Sequence, residues 1–279
     1  MTQRTLFLAI AGCVVALWGA AARQPDLQEA APPLRGRAPI GDIEMYYEIH
    51  GKGDAIVFIH GGGGSVHTSW PLAYVHELSR TFRVVMADSR GHGQSSDGAG
   101  PITFGRLAFD TVRLLDHLGI QQAHIIGHSA GAIAGLHLLI DFPDRVKTAM
   151  LLAGAYHVDN YRPEAYADLA REVESVIRGE NPTSRLASRP LPVLKKLQHA
   201  WLAGPSFSLR LLETITRPTL VVTAGQDTFF DPAIGRMMHA HIKGSELIHY
   251  PAATHRVQVT NSSDLIPAIR DFIARRGHE

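Results

Sequence analysis

Gly127-His128-Ser129-Ala130-Gly131 is the stretch that decides how this chain folds. Upstream lies a short apolar run, Ala123 to Ile126, that reads as a buried strand; downstream, Ala132 to Ile140 is rich in Ala, Gly and Leu and reads as a buried helix. A G-x-S-x-G pattern alone arises by chance in glycine-rich chains, but between a strand and a helix it has a mechanical meaning. The turn is so tight that the residues two before and two after the serine must be small, or strand and helix would collide. The serine itself is then held in a strained backbone conformation with its hydroxyl exposed.

A serine hydroxyl is a poor nucleophile at neutral pH. It needs a histidine base, and the histidine needs a carboxylate to fix its tautomer and stabilise its charged form. Both belong at the ends of later strands. Thr219 to Ala224 is a β-rich apolar run ending in Gly225-Gln226-Asp227, which puts Asp227 just past a central parallel strand as the expected acid; Asp231, further along the same loop, is the runner-up. Leu247 to Tyr250 reads as one more strand, and Pro251-Ala252-Ala253-Thr254-His255 carries His255 into the loop beyond it. A closing helix, Ser263 to Arg275, packs Leu265, Ile266, Ile269, Phe272 and Ile273 against the sheet.

Asp54 to Ile59 is a strand ending in His60-Gly61-Gly62-Gly63-Gly64-Ser65, a loop with almost no side chains to keep a ligand away from its backbone. Acyl transfer builds negative charge on the former carbonyl oxygen, and preorganised N–H groups stabilise it. Ala130, next after the serine, supplies one such donor and the glycine loop the other, at Gly62. A phosphate-cradling loop is the competing interpretation, but the lysine of a P-loop and a G-x-G-x-x-G spacing into a helix are both missing.

With these residues in place the chain resembles the α/β-hydrolase superfamily from about Ile43 to its end. The order Ser129, Asp227, His255 is that superfamily's order. Asp88-Ser89-Arg90-Gly91-His92-Gly93-Gln94-Ser95 looks like its D-x-R-G-x-G-x-S turn, and Phe142-Pro143-Asp144-Arg145-Val146 like its exit from the helix after the serine. The resemblance implies an α/β fold, a mostly parallel central sheet with helices on both faces and a small helical lid insertion. It implies catalytic roles for Ser129, Asp227 and His255, structural roles for Asp88 and Arg90, and no cofactor. Serine at the nucleophile position argues against the haloalkane dehalogenase and epoxide hydrolase branches, which use aspartate there. The nearest branch by pattern is the small esterases, cofactor-free perhydrolases and carbon-carbon bond hydrolases. Thr254 precedes His255 where many relatives carry glycine.

Length and composition agree. A chain of 279 residues, 45% hydrophobic, holds one large core plus a small insertion. A net charge of +1 from 27 basic and 26 acidic side chains leaves no electrostatic footprint for nucleic acid. Residues 1–22 read as a secretory signal peptide: a short basic start, an apolar run from Thr5 to Trp18, and a small-residue cleavage site at Ala20-Ala21-Ala22. This predicts an exported protein, periplasmic or secreted. Ile10-Ala11-Gly12-Cys13 resembles a bacterial lipobox and offers lipid anchoring through Cys13 instead; a retained membrane anchor ranks third, since the run is shorter than the ~20 residues a spanning helix needs. Cys13 is the only cysteine, so cleavage at Ala22 leaves no disulfide.

Residues 23–40, with several prolines, read as a tether; residues 41–155 and 218–279 as the core; residues 156–217 as a helical lid with helices over Pro163 to Arg178 and Pro190 to Ala203. Substrate choice belongs to the lid. Tyr156, Tyr161, Trp201, Phe207, Phe229 and Phe230 are its candidate pocket residues, about two of which should touch substrate, the rest being lid core. No cationic clamp is visible beyond scattered arginines, which favours an apolar substrate. His239-Ala240-His241 has a ligand-like spacing, but no Cys or carboxylate cluster accompanies it, so no metal is expected. His128 reads as structural and His60 as a hydrogen-bonding member of the glycine loop, while Asn261-Ser262-Ser263 fits a glycosylation acceptor only in a eukaryotic secretory host. The expected activity is hydrolysis of a small, largely apolar carboxylic ester or lactone through an acyl-enzyme. The alternatives are carbon-carbon bond hydrolysis of vinylogous diketones, or ligand binding with a slow triad. Oligomeric state is not legible.

Overall fold

A computed structural model describes residues 32–184 and 186–279. The candidate leader 1–22, Cys13 with it, lies outside the described residues, as does the tether up to residue 31. Eight strands form one sheet: β1 (Leu34–Ile40), β2 (Ile43–His50), β3 (Asp54–Ile59), β4 (Phe82–Ala87), β5 (Ala123–His128), β6 (Val146–Leu152), β7 (Thr219–Gln226) and β8 (Glu246–Thr254), in the order β1-β2-β4-β3-β5-β6-β7-β8. The first two pairings are antiparallel and all those from β4 to β8 are parallel. Ten helices complete the described chain: α1 (Val66–Ser69), α2 (Leu72–Ser79), α3 (Phe104–His117), α4 (Ala130–Asp141), α5 (Pro163–Ile177), α6 (Leu191–Ala203), α7 (Leu209–Leu212), α8 (Pro232–His241), α9 (Val257–Thr260) and α10 (Ser262–Arg276).

A parallel sheet needs cover on both faces, so its strands are apolar at every position rather than at alternate ones. Val57, Ile59, Ile125, Leu151 and Val221 face one side, where α3, α4 and α8 supply Leu107, Ile133, Leu136 and Met238. Their neighbours Ile56, Phe58, Ile126, Leu152 and Val222 face the other, against Tyr74 and Leu78 of α2 and Leu265, Ile269 and Phe272 of α10.

The expected tether is corrected over its last seven residues, which form β1. Gly41, at a φ of +62°, and Asp42 make a tight turn that folds the chain back so that Ile40 pairs with Ile43. Pro39 obscured the strand in the sequence, yet on the sheet edge its missing N–H costs no ladder bond. The same reason lets β8, on the opposite edge, run through Pro251 to Thr254 where a loop was expected. A register shift in β7 near Gly225 accommodates it, since a Cβ on Gly225 would stand 2.1 Å from the Pro251 carbonyl oxygen.

The strand order reverses direction between β3 and β5, because β3 has its sequence successor β4 on one side and β5 on the other. A crevice opens beyond the carboxyl ends at such a switch point. The glycine loop leaves β3 there, and Ser129 follows β5. The segment between β6 and β7 supplies α5, α6 and α7, and its Leu186, Val193, Leu197 and Trp201 belong to the core on the α4 side of the sheet.

Candidate active site

Ser129 joins β5 to α4 at a φ of +55°, a left-handed conformation that costs a non-glycine residue of order 1–3 kcal/mol. Both flanking glycines are sterically required. A Cβ on Gly127 would stand 2.2 Å from the Gly131 carbonyl oxygen, and one on Gly131 would stand 2.1 Å from that of Ile59. The second contact shows that the turn presses against the end of β3, so the serine and the glycine loop are forced together. A Cβ on Gly61 would lie 3.3 Å from the Ser129 Cβ.

The Ser129 Oγ stands 3.0 Å from Nε2 of His255, whose Nδ1 is 3.0 Å from each Asp227 carboxylate oxygen. With Nδ1–H donating to the carboxylate, Nε2 is left free to accept from the serine hydroxyl. Asp227 is buried, and its Oδ1 also accepts the N–H groups of Phe229 (2.7 Å) and Phe230 (3.1 Å), which fixes the carboxylate. Asp231 is elsewhere: it caps α8 through the Ala233 N–H and pairs with Arg162 at 3.3 Å. The rings of Phe229 and His128 flank His255 at 4.6 and 5.0 Å between centroids. His128 Nε2–H also donates to the His255 carbonyl at 2.8 Å, a tie across 127 residues that the sequence did not reveal.

Ala130 is the first residue of α4, so its N–H has no helical carbonyl behind it and carries the positive end of the helix dipole. Gly62 lies opposite, lining the same space as Ser129 and Ala130. The glycine loop is gripped from the turn after β4. Asp88 accepts the Val66 N–H (2.7 Å) and the Gln94 N–H (2.8 Å); His92 Nε2 accepts the Gly63 N–H (3.3 Å); His60 Nε2 accepts the Ser89 N–H (3.0 Å). The other ring nitrogens donate to the Gly61 and Arg90 carbonyls. Arg90, fully buried, forks onto Asp110 at 2.5 and 2.9 Å and reaches Asp42 at 3.2 Å.

Each of these imidazoles works as an acceptor or packed donor only while neutral. Burial holds His60 below its ordinary value, drives His92 well below it, and lowers His128 to about 3, with the positive charges of Arg189 (His60, His92) and Arg256 (His128) adding to it. In the unfolded chain the same groups titrate near 6.5. Between the folded and unfolded values the unfolded state binds more protons, so stability is complete above about pH 6.5 and falls as the pH drops below it, for His128 down to about 3. Each histidine contributes up to roughly 1.4 kcal/mol per pH unit in that window. Denaturant unfolding at pH 7.5 and 5.0 should show this loss, and His92→Gln should shallow the slope. A flat profile would contradict the neutral assignment.

Two spaces open at Ser129. One, of about 70 Å³, is lined by Tyr161, Leu169, Leu186, Trp201, Phe229 and Phe230, and by Glu172. Four of the six candidate aromatics therefore reach the pocket. Tyr156 and Phe207 do not line it: Phe207 is buried against His137, ring centroids 4.6 Å apart, and bonds through its N–H to the Tyr156 carbonyl. They lie outside α6, in the segments that leave β6 and lead into α7, whereas Trp201 on α6 packs against the glycine loop. A Cβ on Gly62 would stand 2.9 Å from Trp201 Nε1. The other space, about 610 Å³, has a mixed lining that includes Ser65, Thr68, Ser96, Asp97, Arg189 and Arg256. The sequence showed no cationic clamp because these arginines sit in segments far apart in the chain.

The two histidines with ligand-like spacing have ordinary partners: His239 bonds Ser245 and His241 pairs with Glu213, each at 2.9 Å.

A strained serine at the switch point of a doubly covered parallel sheet, hydrogen-bonded to a histidine past one strand end that is itself paired with an acid past the neighbouring strand, defines an α/β-hydrolase. The chain has the alpha/beta hydrolase fold: residues 54–184 match the family model of that description. It is 30% identical to a carbamate hydrolase (RutD) of Azorhizobium caulinodans over 54% of this chain and 55% of that protein. The chain spans about half the length of the curated relatives it first matches. It is 28% identical to 3-oxoadipate enol-lactonase 2 of Acinetobacter baylyi over 74% of this chain and 84% of that protein. A hydrolase of Pseudomonas aeruginosa superposes with a TM-score of 0.70 at 26% identity, covering 86% of this chain and 98% of the other.

Proposed function

We propose that this protein is a serine hydrolase that cleaves a small carboxylic ester or lactone through an acyl-enzyme. The observation that carries the reading is the hydrogen-bonded line from Ser129 Oγ through His255 to Asp227, each step 3.0 Å. His255 takes the serine proton as Oγ attacks the carbonyl carbon, and the N–H groups of Gly62 and Ala130 hold the oxyanion. The alcohol leaves with the proton from Nε2, and water enters by the same route to release the acid. Lactone and carbamate hydrolysis, the reactions in the relatives' names, are likewise acyl transfers to water that build charge on a carbonyl oxygen. Export rests on the sequence of residues 1–22 and is part of the same proposal.

The apolar space by Trp201 and Phe230 has room for a short acyl chain. Hydrolysis of p-nitrophenyl esters should therefore peak between acetate and hexanoate, and kcat/KM should fall more than about tenfold by palmitate, whose extra methylenes stay outside the pocket. A palmitate optimum would contradict the small-substrate reading. No turnover by folded protein would move the assignment to carbon-carbon hydrolysis, to be tested with a ring-cleavage product, or to ligand binding.

A further inference from the structure

The second space at Ser129 differs in chemistry from the first. Among the described residues Asp97 is the only carboxylate on its walls, and Lys196 neutralises it at 2.7 Å. Arg189, between α5 and α6, donates to the Gly91 carbonyl at 2.7 Å. Arg256 follows His255 directly and donates from one nitrogen to the Thr68 carbonyl at 2.9 Å, while no carboxylate pairs with it among the described residues. The buried Gln258 side chain, donating to the Ser69 carbonyl at 3.1 Å, ties α9 to α1 beside it, so both sides of the Arg256 contact are held. A guanidinium anchored by one nitrogen keeps the rest of its planar fork for an oxyanion. Hydroxyls of Ser65, Thr68 and Ser96 line the same walls and add neutral donors.

We propose that the substrate arm occupying this cleft carries a carboxylate, and that Arg256 selects it. This rests on the acyl-enzyme reading above and narrows it: an apolar arm by Trp201, an anionic arm by Arg256.

The test compares matched esters that differ by one carboxylate. On the acyl side these are p-nitrophenyl hexanoate and mono-p-nitrophenyl adipate; on the alcohol side, the hexanoates of phenol and of 3-hydroxybenzoate, followed by pH-stat. In one of the two pairs the anionic ester should have the higher kcat/KM by roughly 10- to 100-fold, the range of a charge-assisted hydrogen bond. Added salt should erode that ratio. Arg256→Gln should collapse the ratio toward one and Arg256→Lys should keep part of it, with melting temperature checking that each variant is folded. A merely structural role would lower both members of a pair alike and leave the ratio standing. A wild-type ratio of one or less in both pairs, or a ratio that survives Arg256→Gln, overturns the proposal while leaving the esterase reading intact. Absence of turnover on all four esters overturns both.

Discussion

Ser129→Ala should lower kcat by about 10⁵- to 10⁶-fold on any ester the wild type turns over, with the fold intact. Alanine keeps the Cβ already accommodated at a φ of +55° and removes only Oγ, so the strained turn and the glycine loop persist. What remains is the rate that oxyanion stabilisation and binding give to attack by water, of order 10³–10⁴ over the uncatalysed reaction. KM should change little, because the apolar pocket and the larger cleft are untouched. The measurement is steady-state kinetics beside a thermal melt. Turnover within tenfold of wild type would remove Ser129 as nucleophile and with it the acyl-enzyme.

Asp227→Asn should cost about 10⁴ in kcat. The amide retains the size of the carboxylate but changes what it tells the imidazole. An asparagine oxygen can still accept from Nδ1–H, yet it also accepts from the Phe229 and Phe230 N–H groups, and the NH₂ end then faces the ring. That favours the tautomer with its proton on Nε2, which cannot accept from Ser129, and no negative charge remains to stabilise the imidazolium. Asp231→Asn is the control. It keeps an N-cap side chain on α8, loses one half-exposed pair with Arg162, and should leave kcat within about twofold. Equal losses in the two variants would mean that the acid has been misassigned.

Much of the site was legible because its parts are local. The strand, tight turn and helix around Ser129 are encoded by adjacent residues, and a serine flanked by glycines two before and two after leaves few other solutions. Asp227 and His255 were legible because parallel strands present their carboxyl ends to one edge, so a residue just past a strand has a known address. The strand β1 was not legible: prolines suggested a tether, and only pairing with β2 gave those residues a reason to extend. Four aromatics reach the pocket while Tyr156 and Phe207 do not, since these residues lie mostly in irregular segments whose paths are set by contacts far along the chain, such as that of Phe207 with His137.

The sequence by itself therefore determined the strands that carry the catalytic candidates, the nucleophile turn and the order of those candidates, because these follow from periodicity and from sterics between neighbours in the chain. Tertiary structure alone decided the rest. The neutral His60 and His92 grip on the glycine loop joins residues 29 apart through hydrogen bonds whose strength depends on burial. The pairing of an apolar pocket with an arginine-walled cleft brings together segments as distant as Thr68 and Arg256. Charge and polarity at a site are sums over space, and spacing along the chain does not record them.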